Sequence, residues 1–214
     1  MDPAPISTRL LLSCLLAVIL LEGVAMVVGT RTNFSRMWLI LSVRIGQTIA
    51  VTGLTVFQTG GLQDLGLGRD AIIPGVRHGL MWSAGFAAVA AIMFLIAFMV
   101  GTNPLSWVRA PLPETASQCV LYFFVGRIVA PVAEEIFIRG VIFGYLRRTG
   151  LQAGVFISTA LFAAILVRVA IPVTQIVGGV VFAVAYHMGG SLMVPIVIHM
   201  LGNMAIFSLS LVPY

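Results

Sequence analysis

Long apolar runs separated by short polar breaks dominate this chain, and they decide what solvent it folds in. The first, residues 10–28, matches the roughly 20 helical residues that a hydrocarbon layer requires. Others follow at 38–57, 80–100, 118–132, 151–167, 172–186 and 192–211. Only 9% of the 214 residues are charged and 60% are hydrophobic, whereas a water-soluble domain carries roughly 25% charge. Lipid must therefore cover much of the outside. In lipid a helix satisfies its own backbone, and no run shows the regular polar alternation of a barrel strand. The expected fold is an all-α polytopic transmembrane helix bundle of about seven or eight membrane helices.

The net charge of +5 comes from Arg alone, since the chain has no Lys. These Arg residues are scattered, with only Arg147 and Arg148 adjacent. Phosphate tracking needs a patch or stripe, so nucleic acid is excluded as a partner and the lipid bilayer is implied. Arg9 ahead of the first run reads as the flank of a retained helix, because a signal peptide's apolar region is shorter. The Arg residues divide almost evenly between the two sides and fix no orientation. Cys14 and Cys119 lie in apolar segments without metal-binding spacing and read as small buried hydrophobes.

Several local features qualify this outline. Arg44 and Gln47 sit inside the second run, where Arg44 must face the bundle or snorkel to the near interface. Residues 60–78 form the longest polar stretch, and 101–117 read as a Pro-rich loop. Pro131 either starts a helix over 131–148 or kinks a continuous one. Gly178 and Gly179 allow close helix packing, and Gly189–Gly190 makes a turn.

Chemistry concentrates in Ala133-Glu134-Glu135-Ile136-Phe137-Ile138-Arg139-Gly140. A carboxylate at membrane depth costs several kcal/mol or more unless paired. Glu135 and Arg139, four apart, share a helix face and can pair. Glu134 lies about 100° around the helix and has no local partner, which suits a general base. The alternative is that both glutamates neutralise Arg127 and Arg139 and only fix packing. A second constellation, His199-Met200-Leu201-Gly202-Asn203, places two donors on one face of the last helix. They could hold a developing oxyanion or simply join helices. His187, at a helix end beside a turn, and His78, in the polar loop, both read as solvated residues.

EExxxR on an apolar helix, followed in order by HxxxN on the last one, resembles the CPBP intramembrane proteases, which are related to the type II CAAX prenyl endopeptidases. Leu65-Gly66-Leu67, Phe143-Gly144-Tyr145-Leu146-Arg147-Arg148 and Gly190-Ser191-Leu192 resemble further short elements of that family. The resemblance implies N-terminal transmembrane helices over 1–59 and a protease-like core over 60–214. It implies a glutamate-type intramembrane endopeptidase that uses no metal or other cofactor, consistent with the lack of HExxH. Glu134 would be the base, Glu135 and Arg139 its support, and His199 and Asn203 the oxyanion pair.

The substrate would be a membrane-associated peptide or protein. The setting would be a bacterial or archaeal cytoplasmic membrane, with the chain as a multi-pass protein. One position departs from the pattern. The family's FxxxH element falls on Phe162 to Leu166, so Leu replaces His. Phe182 to Tyr186 gives FxxxY with His187 one residue late, too near His199 to substitute. This departure motivates the alternative of a non-catalytic scaffold or subunit binding another membrane protein. A transporter would need an inverted repeat or a pair of broken helices, and neither is evident.

Overall fold

The structure is a computed structural model. It describes residues 5–166 and 173–212, apart from the side chains of 165, 166, 173 and 174. All regular structure among the described residues is helical, and the protein is an integral membrane protein.

Helices α1 (Thr8–Arg31) and α2 (Arg36–Thr59) form an antiparallel hairpin. Ser7 caps α1 by accepting from the Leu10 N–H at 3.1 Å, and Gly60 ends α2 at φ 81°. Trp38 lies exposed in the first turn of α2, as an interfacial anchor should. Helix α3 (Arg69–Met99) is longer than the expected 80–100 segment. The second half of the polar stretch is helical, so Pro74 and His78 fall inside α3. Pro74 is the sixth residue of α3, so the helix forgoes one backbone bond, that from residue 74 to the Asp70 carbonyl. Gly75 and Gly79 draw α3 onto the last helix. A Cβ at Gly79 would lie 2.7 Å from Val197 Cβ and 3.0 Å from the Val194 carbonyl oxygen.

After a short α4 (Leu105–Val108), one unbroken helical run carries the paired glutamates. It consists of α5 (Ala116–Phe124), a π-helical turn over Val125–Val129, α6 (Ala130–Glu135), a π-helix over Ile136–Phe143 and α7 (Gly144–Leu146). The expectation left open at Pro131 resolves to a continuous helix. Its physical adjustment is a widened turn rather than a break, because Pro131 cannot donate to the preceding turn. Helices α8 (Leu151–Leu166), α9 (Val173–Gly189) and α10 (Met193–Leu211) complete the described fold.

Among the described residues, α1, α2, α3 and α10 are long and apolar enough to cross a membrane, and residues 151–164 and 175–189 form shorter apolar helices. Helix α10 packs on α3 and α9, while α8 packs on α9. One buried cluster joins Leu10, Cys14 and Val51 of the hairpin to Ile136, Val141 and Phe143 of the long run. A second joins Ile138 and Ile142 to Phe162, Phe182 and Ile198. Cys14 is buried as expected; Cys119 is only partly so, and its thiol donates to the Pro113 carbonyl at 3.1 Å.

Two short elements clasp each other at one end of the bundle. The Leu192 N–H donates to the Gly66 carbonyl at 3.1 Å, and Ser191 Oγ donates to the Ala71 carbonyl at 2.9 Å. Gly66 adopts φ 70°, and a Cβ there would meet the Gly190 oxygen and the Leu192 nitrogen at 3.1 Å. Glycine is thus required both for the left-handed backbone and for the close approach.

Candidate functional site

The site lies between the glutamate run and α8, α9 and α10. Both π segments flank α6, placing Glu134 and Glu135 between two widened turns. Such segments often mark functional positions.

Glu135 and Arg139 are completely buried, with Arg139 Nε 3.4 Å from Glu135 Oε2. The pairing expected from helix spacing is therefore present. Arg139 is further fixed by donation from its Nη2 to the Gly179 carbonyl at 3.2 Å. Its guanidinium lies 4.6 Å from the Phe162 ring centre and 5.5 Å from that of Phe182. A delocalised cation between two ring faces is favourable where water is excluded. Gly179 also packs closely, since a Cβ there would be 2.7 Å from Thr159 Cγ2.

His199 occupies the other side of Glu135. Its Nδ1 lies 2.8 Å from Glu135 Oε1, and its Nε2 lies 3.9 Å from Glu134 Oε2. The imidazole stacks on Phe182 at 4.8 Å and meets Phe162 edge-on at 5.8 Å. Glu135 thus joins two partners, Arg139 and His199. A carboxylate next to Nδ1 accepts a hydrogen bond from the Nδ1–H and so orients the ring. Glu134 Oε2 and His199 Nε2 are too far apart for a direct hydrogen bond, and a polar gap of this size is one that water can bridge. Glu134 keeps 18% side-chain exposure while Glu135 keeps none. The accessible carboxylate is the one that helix spacing left without a local partner.

Asn203 is placed differently from His199. Its amide donates to the Gly126 carbonyl at 3.2 Å. The local backbone explains this. Within the first π turn, Ala130 N–H bonds back five residues to the Val125 carbonyl. The next bond of that register would run from residue 131 to Gly126, but Pro131 has no N–H. Asn203 supplies the missing donor.

Arg127 does not neutralise the glutamates among its described contacts. Its Nη2 donates to Tyr122 Oη at 3.1 Å, and its guanidinium lies 4.9 Å from that ring's centre. His187 is partly buried in the last turn of α9, and His78 is exposed in α3. The side chain of Leu166 lies outside those described. Among the described residues, no group of three or more His, Cys, Asp or Glu is arranged to hold a metal ion.

A residue pattern missed in the sequence lies within the α1–α2 hairpin. Glu22 of α1 accepts from Arg44 Nη1 and from Gln47 Nε2, each at 2.9 Å. Arg44 Nη1 also donates to Gln47 Oε1 at 2.6 Å. Arg44 therefore faces a partner within the hairpin instead of snorkelling. The available signal was a lone carboxylate inside the otherwise apolar run 10–28.

Residues 115–205 match the family model described as type II CAAX prenyl endopeptidase Rce1-like. No curated protein and no solved structure gives a significant match. The matched segment contains Glu134, Glu135, Arg139, His199 and Asn203 in order, and residues 115–205 of this chain are similar to the type II CAAX prenyl endopeptidase Rce1-like family.

Proposed function

We propose that this protein is a glutamate-type intramembrane endopeptidase acting on a membrane-associated peptide or protein. The observation that carries this reading is the 3.9 Å juxtaposition of Glu134 Oε2 and His199 Nε2 beside fully buried Glu135 and Arg139. The family match supports it.

With both glutamates ionised, Arg139 charged and His199 neutral, the cluster carries one uncompensated negative charge. Burying a net charge is costly. One proton held by the Glu134–His199 couple brings the cluster to neutrality. In the reaction Glu134 takes a proton from water as its oxygen attacks the scissile carbonyl. The carbonyl becomes a tetrahedral oxyanion that accepts a hydrogen bond from protonated His199 Nε2. Asn203, with one amide N–H on Gly126, retains a second for the same oxygen. Collapse breaks the carbon–nitrogen bond, and the departing amine receives the proton from Glu134. Glu135 and Arg139 act through His199: they hold its ring orientation and offset its charge. The division of residues 1–59 from a core over 60–214 is part of the same proposal.

The test is cleavage of a membrane-peptide library by protein reconstituted in lipid vesicles, beside Glu134→Gln. Removing one positioned acid–base group lowers the rate by about 10²–10⁴-fold. Equal product from both proteins would reject the reading.

A further inference from the structure

The hairpin helices α1 and α2 lie outside the segment matched to the family, yet they carry an ion pair and an adjoining Gln at membrane depth. At 1.5 Å per residue, Glu22 stands about 21 Å from the start of α1 and about 14 Å from its end. Arg44 stands about 12 Å from the start of antiparallel α2. Both lie well within the hydrocarbon layer. Their ion pair is closed by Gln47, which is buried.

Exposure differs sharply among these groups and those of the site. The Glu22 side chain is 50% exposed and that of Arg44 20%, whereas Glu135 and Arg139 are fully buried. Between these extremes lies Glu134 at 18%. Helix α2 packs directly against α6, which carries Glu134, and against both π segments. A half-exposed carboxylate at hydrocarbon depth is expensive against lipid. Ionisable groups in such positions almost always face the bundle interior or a water-filled cavity. An ion pair alone would explain a buried contact between α1 and α2. It does not explain why one partner, Glu22, stays half exposed at that depth on a hairpin packed against the helix that carries Glu134.

We propose that Glu22, Arg44 and Gln47 form a hydrated side opening through which water reaches Glu134. This deepens the hydrolase reading and rests on it, because hydrolysis consumes water at a site otherwise walled by Phe162, Phe182 and Ile198. The opening's chemistry suits water and a polar peptide backbone, since it offers both charge signs and an amide.

The experiment is thiol accessibility on the full chain in lipid vesicles, read with a membrane-impermeant sulfonate-bearing methanethiosulfonate as the increment over the parent protein. Thiolates form and react only where water reaches them. Ala25→Cys, one turn beyond Glu22 on α1, leaves the polar trio intact and guards against misfolding of Arg44→Cys. Val24→Cys, an exposed apolar position on the opposite face at nearly the same depth, is the lipid-facing control. The expected result is modification of Ala25→Cys and Arg44→Cys at least about tenfold faster than Val24→Cys. Equal rates at Ala25→Cys and Val24→Cys would overturn the proposal, as would a dry contact with a second copy. The assay reads water directly. Labelling without Glu134-dependent proteolysis would therefore overturn the protease reading and leave the opening standing.

Discussion

Replacing Arg139 by Met should be among the most damaging single changes to this fold, and Glu135→Gln should reverse most of the damage. Met keeps an unbranched apolar side chain against Phe162 and Phe182, so the main loss is charge. With Arg139 Nε 3.4 Å from Glu135 Oε2, attraction at an effective dielectric of about 20 is roughly 5 kcal/mol. That is not the net worth of the pair, because burying both ions was itself costly. Removing one ion leaves the other uncompensated, at about 3–5 kcal/mol. Gly179 also loses its donor. In Arg139→Met/Glu135→Gln no charge remains at either position, and the Gln amide can still bond His199. Stability can be measured by detergent-induced unfolding of purified protein, following helix content. The expectation is a loss of about 3–5 kcal/mol for the single variant and recovery of more than half in the double. A single-variant cost below about 1 kcal/mol, or a double variant as unstable as the single, would refute the idea that Arg139 chiefly neutralises Glu135.

Two further outcomes follow from backbone geometry. Asn203→Leu should cost about 1–2 kcal/mol by orphaning the Gly126 carbonyl. The penalty should shrink in Pro131→Ala/Asn203→Leu, where residue 131 regains an N–H; the same unfolding assay across the four proteins measures the coupling. Gly79→Ala should cost about 1–3 kcal/mol, because its Cβ would meet Val197 Cβ at 2.7 Å and the Val194 oxygen at 3.0 Å. A disulfide-trapping distance measurement between α3 and α10 should show the two helices pushed apart.

Local geometry was legible in the sequence, and long-range partnership was not. Four-residue spacing suffices to pair Glu135 with Arg139, and it isolates Glu134 as the accessible carboxylate. It says nothing of His199, which lies on another helix and reaches Glu135 Oε1 at 2.8 Å. The HxxxN spacing suggested that His199 and Asn203 act as one pair. The structure gives them different partners, because a proline sixty-eight positions before His199 leaves a carbonyl that only a folded neighbour can satisfy. The sequence likewise left Pro131 open between a helix start and a kink in a continuous helix, because a π turn that absorbs the missing N–H without ending the helix leaves no mark in the apolar pattern. Arg127 shows the limit of stripe arguments. It shares a helix with the glutamates, yet Tyr122 and Phe207 take its guanidinium. Glu22 escaped notice because one carboxylate barely changes the average of an apolar run. Its significance appears only beside Arg44 and Gln47.

The clasp between Gly66 and Leu192 has a mechanical consequence. His199 stands seven residues beyond Leu192, about 10 Å along α10. The loop before α3 therefore acts as a depth stop for the last helix: it sets how far α10 sinks and so the height at which the imidazole meets Glu135. A one-residue shift would slide the ring by about 1.5 Å, more than a 2.8 Å hydrogen bond can absorb. Shortening the loop by one residue would thus detune the site without altering any residue within it.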